Sequence, residues 1–294
     1  HTKNPTPIAF SPDNRRLAIA SAESLQIWDR GARCYVATMT THQQDDLDIN
    51  CIAYSSNGTH VAYGTRSGTV WLWDLETDHL TQVGNALEGR NPRIACVAFS
   101  PGGKTIASIS GEGILQVWDL ASQVDMRVKP KENPKHIECA ALSSDGKLIA
   151  LGFTTGALRI WDAETMQQVG EDMMGHPDKV WCVAFSPDNE HVAAGERNGL
   201  VRIWDVKTQR QLGDTLKLHE WEVTCVVYSY DGSYLVSSCP DGTVRMWDTV
   251  EGRQTELRVK ADYNSVDDYH EVAISPNNLL IATCCGRALQ IWSA

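Results

Sequence analysis

The 294-residue chain carries 37 Asp and Glu against 26 Lys and Arg, a formal net charge of −11. That balance argues against a nucleic-acid or anionic-membrane surface as the main partner. No apolar run is long enough to span a bilayer, and no signal peptide is evident. Hydrophobic residues at 42% allow a sizeable core, and nine cysteines without paired spacing fit a reducing, intracellular (cytoplasmic or similar) compartment.

The predicted elements follow one period, repeated seven times. Repeat 1 (about 1–41) has the turn "SPDN" at 11–14 and closes an alternating segment on Trp28-Asp29. Repeat 2 (42–89) has "SSNG" and Trp73-Asp74, and repeat 3 (90–132) has "SPGG" and Trp118-Asp119. Repeat 4 (133–174) has "SSDG" and Trp161-Asp162, and repeat 5 (175–217) has "SPDN" and Trp204-Asp205. Repeat 6 (218–262) has "SYDG" and Trp247-Asp248, and repeat 7 (263–294) has "SPNN" and Trp292-Ser293. The tryptophans stand 45, 45, 43, 43, 43 and 45 residues apart.

Asp, Asn and Gly accept the positive φ of a tight hairpin, and Pro presets the first φ of a turn. An apolar run precedes each turn, another follows it, the Trp-Asp segment comes third, and a more polar segment fourth. Each unit therefore reads as four short antiparallel strands, a to d. No window shows a sustained helical period. The expected fold is all-β: a single domain over 1–294, a seven-bladed propeller of four-stranded blades.

The stretch "GHPDKVWCVAFSPDNEHVAAGERNGLVRIWD" (175–205) looks like a WD40 repeat nearly end to end, and all seven units match in outline. The chain thus resembles the WD40 β-propeller family. In wording it is similar to fungal WD40 arrays found beside NTPase modules in intracellular sensor proteins.

Cys51, Cys96, Cys139, Cys182 and Cys225 each stand three residues before a large apolar residue. The resemblance puts them on strand a, innermost around the channel. Alternation turns Cys182 and Ala184 toward one neighbouring blade and Val183 and Phe185 toward the other. Thiols spread around a ring cannot converge on one ion at about 2.3 Å, so packing is expected, with no metal and no cofactor. "DDLDIN" (45–50) lacks the Gly and terminal Glu of a Ca²⁺ loop.

In repeat 6, His219, Ser237, Asp241 and Trp247 contain the residue types of a hydrolase triad. The resemblance implies instead a structural tetrad, in which Trp, Ser, His and Asp tie strands b and c to two loops. Only repeat 6 carries the full set; repeat 5 keeps His176 but has Asn198 at the aspartate position. Packing between blades is expected to make up for the losses.

The family's usual contact surface is the channel mouth. Two register positions there give candidate partner-binding residues: Asn50, Glu138, Trp181, Thr224 and His270 from the first, Arg66, Thr154 and Arg197 from the second. Trp181 and Arg197, in one blade, are the favoured types of interface anchor. The plainer alternatives are a Trp181 ring folded flat over its own blade and arginines that are solvated charges. Around the rim, Asp45, Asp46, Asp48, Glu220, Glu222, Asp267 and Asp268 stand apart from Arg90, Arg93, Lys129, Lys131, Lys135 and Lys179, which reads either as a bipolar pattern that would orient a charged partner or as ordinary mixed surface charge.

His1 aligns with His176 and His219, and the sequence stops after strand c of repeat 7. The last blade is therefore expected to lack its outer strand here, as in a core trimmed from a longer chain. The expected function is a non-catalytic scaffold, monomeric as an isolated domain, binding peptide segments or domains of a partner at the channel mouth. The alternative is a lectin-like propeller with sugar pockets. Repeated pockets would need Trp181 to have counterparts, and it has none.

Overall fold

Alternation between turn signals folds the chain into strands. The computed structural model describes residues 7–20, 24–40, 49–77, 79–84, 93–100, 103–112, 114–120, 125–128, 137–163, 165, 167–217, 219–250, 254–255, 270–285 and 288–293, and these hold strands and no helix. No helix among them, accordingly, is long and apolar enough to cross a membrane.

The strands form antiparallel sheets paired in chain order. The first holds β1 (Ile8–Phe10), β2 (Arg16–Ala20), β3 (Ser24–Asp29) and β4 (Cys34–Thr40). The second holds β5 (Ile49–Tyr54), β6 (His60–Thr65), β7 (Val70–Asp74) and β8 (His79–Gly84). The third holds β9 (Ile94–Phe99), β10 (Thr105–Ser110), β11 (Leu115–Asp119) and β12 (Asp125–Val128). The fourth holds β13 (Ile137–Leu142), β14 (Leu148–Phe153), β15 (Leu158–Asp162) and β16 (Gln168–Met173). The fifth holds β17 (Val180–Phe185), β18 (His191–Glu196), β19 (Leu200–Asp205) and β20 (Gln211–Lys217). The sixth holds β21 (Cys225–Tyr228), β22 (Tyr234–Ser238), β23 (Val244–Asp248) and β24 (Gln254–Thr255). The seventh holds three strands among the described residues, β25 (His270–Ile274), β26 (Leu280–Cys285) and β27 (Ala288–Ser293).

The turn between the first two strands follows one plan in every sheet. The backbone N–H five residues after the turn serine donates to its Oγ at 2.8–3.1 Å. In six sheets the hydroxyl itself donates to the Asp or Asn two places on, at 2.5–2.7 Å. The next residue, Asn14, Gly58, Gly103, Gly146, Asn189, Gly232 or Asn278, has φ between 57° and 75°, which only Gly and Asn adopt cheaply. The aspartate of Trp-Asp closes the third turn in the same way: Asp205 accepts from Thr208 N–H at 2.6 Å and Thr208 Oγ1–H at 2.7 Å.

Packing between sheets supplies most of the stability. The first strands lie side by side: β1 against β5, then β9, β13, β17, β21 and β25 in turn, with β25 also against β1. Each apolar cluster is shared by two successive sheets. Val61, Tyr63 and Trp73 of the second sheet pack against Leu25 and Ile27 of the first. Ala273 and Ala282 of the seventh pack against Ile8, Phe10, Leu17 and Ile19 of the first. A fully buried Leu, Ile or Val contributes about 1.5–3 kcal/mol, against about 0.5–1.5 for a turn hydrogen bond.

Candidate functional site

The channel mouth is shaped by a repeated irregularity in the first strand. Ile49 pairs with Thr65 but Cys51 with Gly64, so Asn50 is left without a cross-strand partner. The same slip skips Ala95, Glu138 and Trp181 in the next three sheets. A bulge bends the strand and re-aims the skipped side chain. Together with Thr224, just before β21, these residues line a cavity of about 430 Å³ that Arg66 and Arg93 also border.

Two of these residues join adjacent sheets. Asn50 Nδ2–H donates to the Ile94 carbonyl at 2.8 Å. Arg93 donates to the Glu138 carbonyl at 2.5 Å and stands 3.9 Å from its carboxylate. Thr224 is buried, its hydroxyl 3.1 Å from that of Ser238. Thr154 and Arg197 stand in turns between second and third strands and do not line the cavity. His270 begins β25, opposite Cys285, and its side chain lies outside the described residues. Asp45, Asp46, Asp48, Arg90, Lys129, Lys131, Lys135, Asp267 and Asp268, most of the bipolar rim, also fall outside the described residues.

Below the mouth the thiols each reach the following sheet. Cys51, Cys139, Cys182 and Cys225 Sγ lie 3.7, 3.6, 3.2 and 3.6 Å from the carbonyls of Ile94, Val180, Val223 and Val272. Opposite three of them stand glycines, and the reason is space. A Cβ on Gly195 would lie 2.6 Å from Cys182 Sγ and 2.8 Å from a Val223 methyl. Burial pushes the thiols up, Cys96 to about 11 and Cys51, Cys182 and Cys225 well above the ordinary range. Cys34, Cys51, Cys96, Cys139, Cys182, Cys225 and Cys239 are free thiols.

Glu271 of β25 was missed by the sequence reading, although a signal existed. It stands three residues before Ile274, the register held by cysteine in five repeats, and is the one charged residue in that ring. Burial raises its carboxyl to about 7, against a hydrogen bond from the Cys225 thiol that opposes the rise.

In repeat 6, Asp241, His219 and Ser237 are linked through Thr243, and Trp247 stays outside the chain of bonds. His219 Nδ1 lies 3.0 Å from Thr243 Oγ1, whose proton goes to Asp241 at 2.6 Å. Nδ1 therefore carries the ring proton, and Nε2 accepts from Ser237 Oγ–H at 2.8 Å. Burial lowers His219 to about 4; Asp241 opposes this and Arg245 adds to it. No hydrogen bond joins Trp247 to Ser237; its ring packs beside Leu235 and Val226. Ser237 and His219 are fully buried, so this hydroxyl has no access to a substrate. His219, Cys239 and Asp241 offer ligand atoms within 4.8 Å of one another, but both ring nitrogens of His219 are engaged within the protein.

Repeat 5 holds a network that the missing aspartate concealed. Trp204 Nε1–H donates to His176 Nε2 at 3.1 Å, so that nitrogen carries a lone pair and Nδ1–H donates to Glu196 Oε1 at 2.9 Å. Arg202 Nε–H donates to the same oxygen at 2.7 Å. Glu196 and His176 side chains are wholly buried. The signal was a carboxylate ending the otherwise apolar "HVAAGE". In repeats 3 and 4, where neither histidine nor aspartate remains, the indole nitrogens of Trp118 and Trp161 are buried without partners among the described residues.

A family model described as the IFT122 first beta-propeller matches residues 6–212, and one described as the WD domain, G-beta repeat, matches residues 210–248. The chain belongs to the family of the IFT122 first beta-propeller and is a WD-repeat β-propeller. Domains of this kind are generally protein-interaction scaffolds and typically non-catalytic.

Proposed function

We propose that this chain is a non-catalytic interaction platform: one seven-bladed propeller over residues 1–294, monomeric by itself, forming part of a larger intracellular protein. A peptide segment or domain of a protein partner seats on the channel mouth, and neither nucleic acid nor membrane is its target. The observation that carries this reading is the convergence of bulge residues from successive sheets, Asn50, Glu138 and Trp181, on one cavity. Ring closure is supported by the apolar contact between first and seventh sheets and by Asn277 N–H donating to Asn14 Oδ1 at 3.3 Å.

The test is site-directed crosslinking in cells. Benzoylphenylalanine at position 181 samples the mouth, and at the exposed Leu279, in a turn at the other end of the first strands, it samples the opposite face. Covalent partners are expected from 181 and not from 279, with capture reduced by Asn50→Ala. Crosslinking from 279 alone would overturn the choice of face.

A further inference from the structure

Glu271 is a buried carboxyl group in the middle of the channel, and none of the described ion pairs involves it. It borders the mouth cavity and also a wider one, about 640 Å³, which opens between Ile8, Phe10, Tyr54 and Ile274 at the other end. From β21 the Cys225 thiol bonds to it, and Cys51 and Cys182 lie near enough to sense its charge. β1 contributes only Ile8, Ala9 and Phe10, and β26 contains no charged residue. Arg66, Arg93 and Glu138 border the cavity from the sheets across it, Arg93 beside the Glu138 carboxylate. Among the described residues Glu271 has no ion pair.

The chemistry of the walls narrows what would enter. The carbonyls of Ile94, Val180 and Val223 already receive thiols, and the Glu271 carboxylate is the charged acceptor at that depth. A guanidinium brings five donors in a rigid fork and would leave most unmet, whereas an ammonium is a compact charge on a thin apolar stem. The far end is lined mainly by apolar and aromatic residues, while the mouth offers Asn50, Glu138 and the Trp181 ring, a surface that attracts cations.

We propose that the channel receives a lysine side chain of the partner, inserted from the mouth past Trp181, with its ammonium paired to ionised Glu271. This rests on the mouth being the partner-binding face. Pairing requires the carboxyl to lose its proton, so binding releases one proton below the pKa of Glu271.

Nα-acetyl-lysine amide and its uncharged counterpart Nα-acetyl-norleucine amide are titrated into the full chain and followed by NMR. The lysine compound is expected to bind at millimolar concentration and the norleucine compound at least about tenfold more weakly, since an unpaired ionised carboxyl gains nothing from it. Because Glu271 titrates at about 7, affinity for the lysine compound should rise about tenfold from pH 6 to pH 8. Glu271→Gln should remove both the preference and the rise; the wild-type pH profile stands whether or not that variant folds. Equal affinity for the two compounds, or a rise that survives in the variant, overturns the pairing. Affinity that falls with pH means that the protonated carboxyl donates to a neutral acceptor, and it also overturns the cation. Crosslinking from position 181 without lysine binding leaves the mouth as the partner face and removes only the lysine; loss of both removes both.

Discussion

Glu196→Ala tests whether the buried network of repeat 5 braces its blade. The substitution deletes the acceptor for His176 Nδ1–H and the partner of Arg202 at once. Breaking a buried ion pair by removing one partner costs about 3–5 kcal/mol. Two features push the value to the low end. Arg202 is 14% exposed and keeps Gln211 at 2.8 Å, and Glu196 Oε2 already lies buried without a partner. A loss of about 3 kcal/mol is therefore expected, seen as a melting temperature lower by roughly 6 °C at about 2 °C per kcal/mol for a domain of this size. Urea denaturation followed by circular dichroism gives the free energy. Glu196→Leu with Arg202→Met should recover most of it, leaving about 1 kcal/mol for the stranded His176 donor. A loss below about 1 kcal/mol in Glu196→Ala would refute the reasoning, because desolvation would then have cancelled the pair.

Gly195→Ala forces a methyl to within 2.6 Å of Cys182 Sγ and should cost about 1–3 kcal/mol by denaturation; adding Cys182→Ala should return part of it. Gln116→Leu should raise stability by about 1–3 kcal/mol, since both polar atoms of its amide are buried without partners among the described residues. Lowered to about 4 in the fold from an ordinary 6.5, His219 contributes stability that is complete above pH 6.5 and lost as pH falls toward 4, on the order of 3 kcal/mol. Denaturation at stepped pH should show a shallower loss across that window in His219→Gln than in wild type.

The sequence made the strands and turns plain because those depend on neighbours in the chain. Ser186, Asp188 and Asn189 fold their turn with bonds that span five residues or fewer, and Asp205 closes the next with Thr208. Trp181 was legible as a mouth residue from register alone, but its bulge was not, since the slip arises from pairing with Glu196 and Gly195 across the hairpin. Glu196 escaped notice because its partners, His176 and Arg202, come from a loop and a third strand. A search for the expected Trp-Ser-His-Asp set passes over a substitute built from other residue types. Glu271 stayed hidden for a different reason: its meaning lies in the missing ion pair among the described residues, which no single repeat reveals.

The thiol contacts between sheets all point the same way along the chain. Cys51 leans on Ile94, Cys139 on Val180, Cys182 on Val223 and Cys225 on Val272, always toward the repeat made next. A ribosome delivers these repeats in that order, at a few to some tens of residues each second. Each newly emerged repeat thus carries an unfinished flank, its sulfur and the adjoining apolar stripe open, until a further 41 residues arrive, in the case of Cys182, to cover it. The nascent protein would expose two flanks, one that moves with its growing edge and one on the first sheet that waits for the seventh, and a pause in translation would prolong the exposure of both.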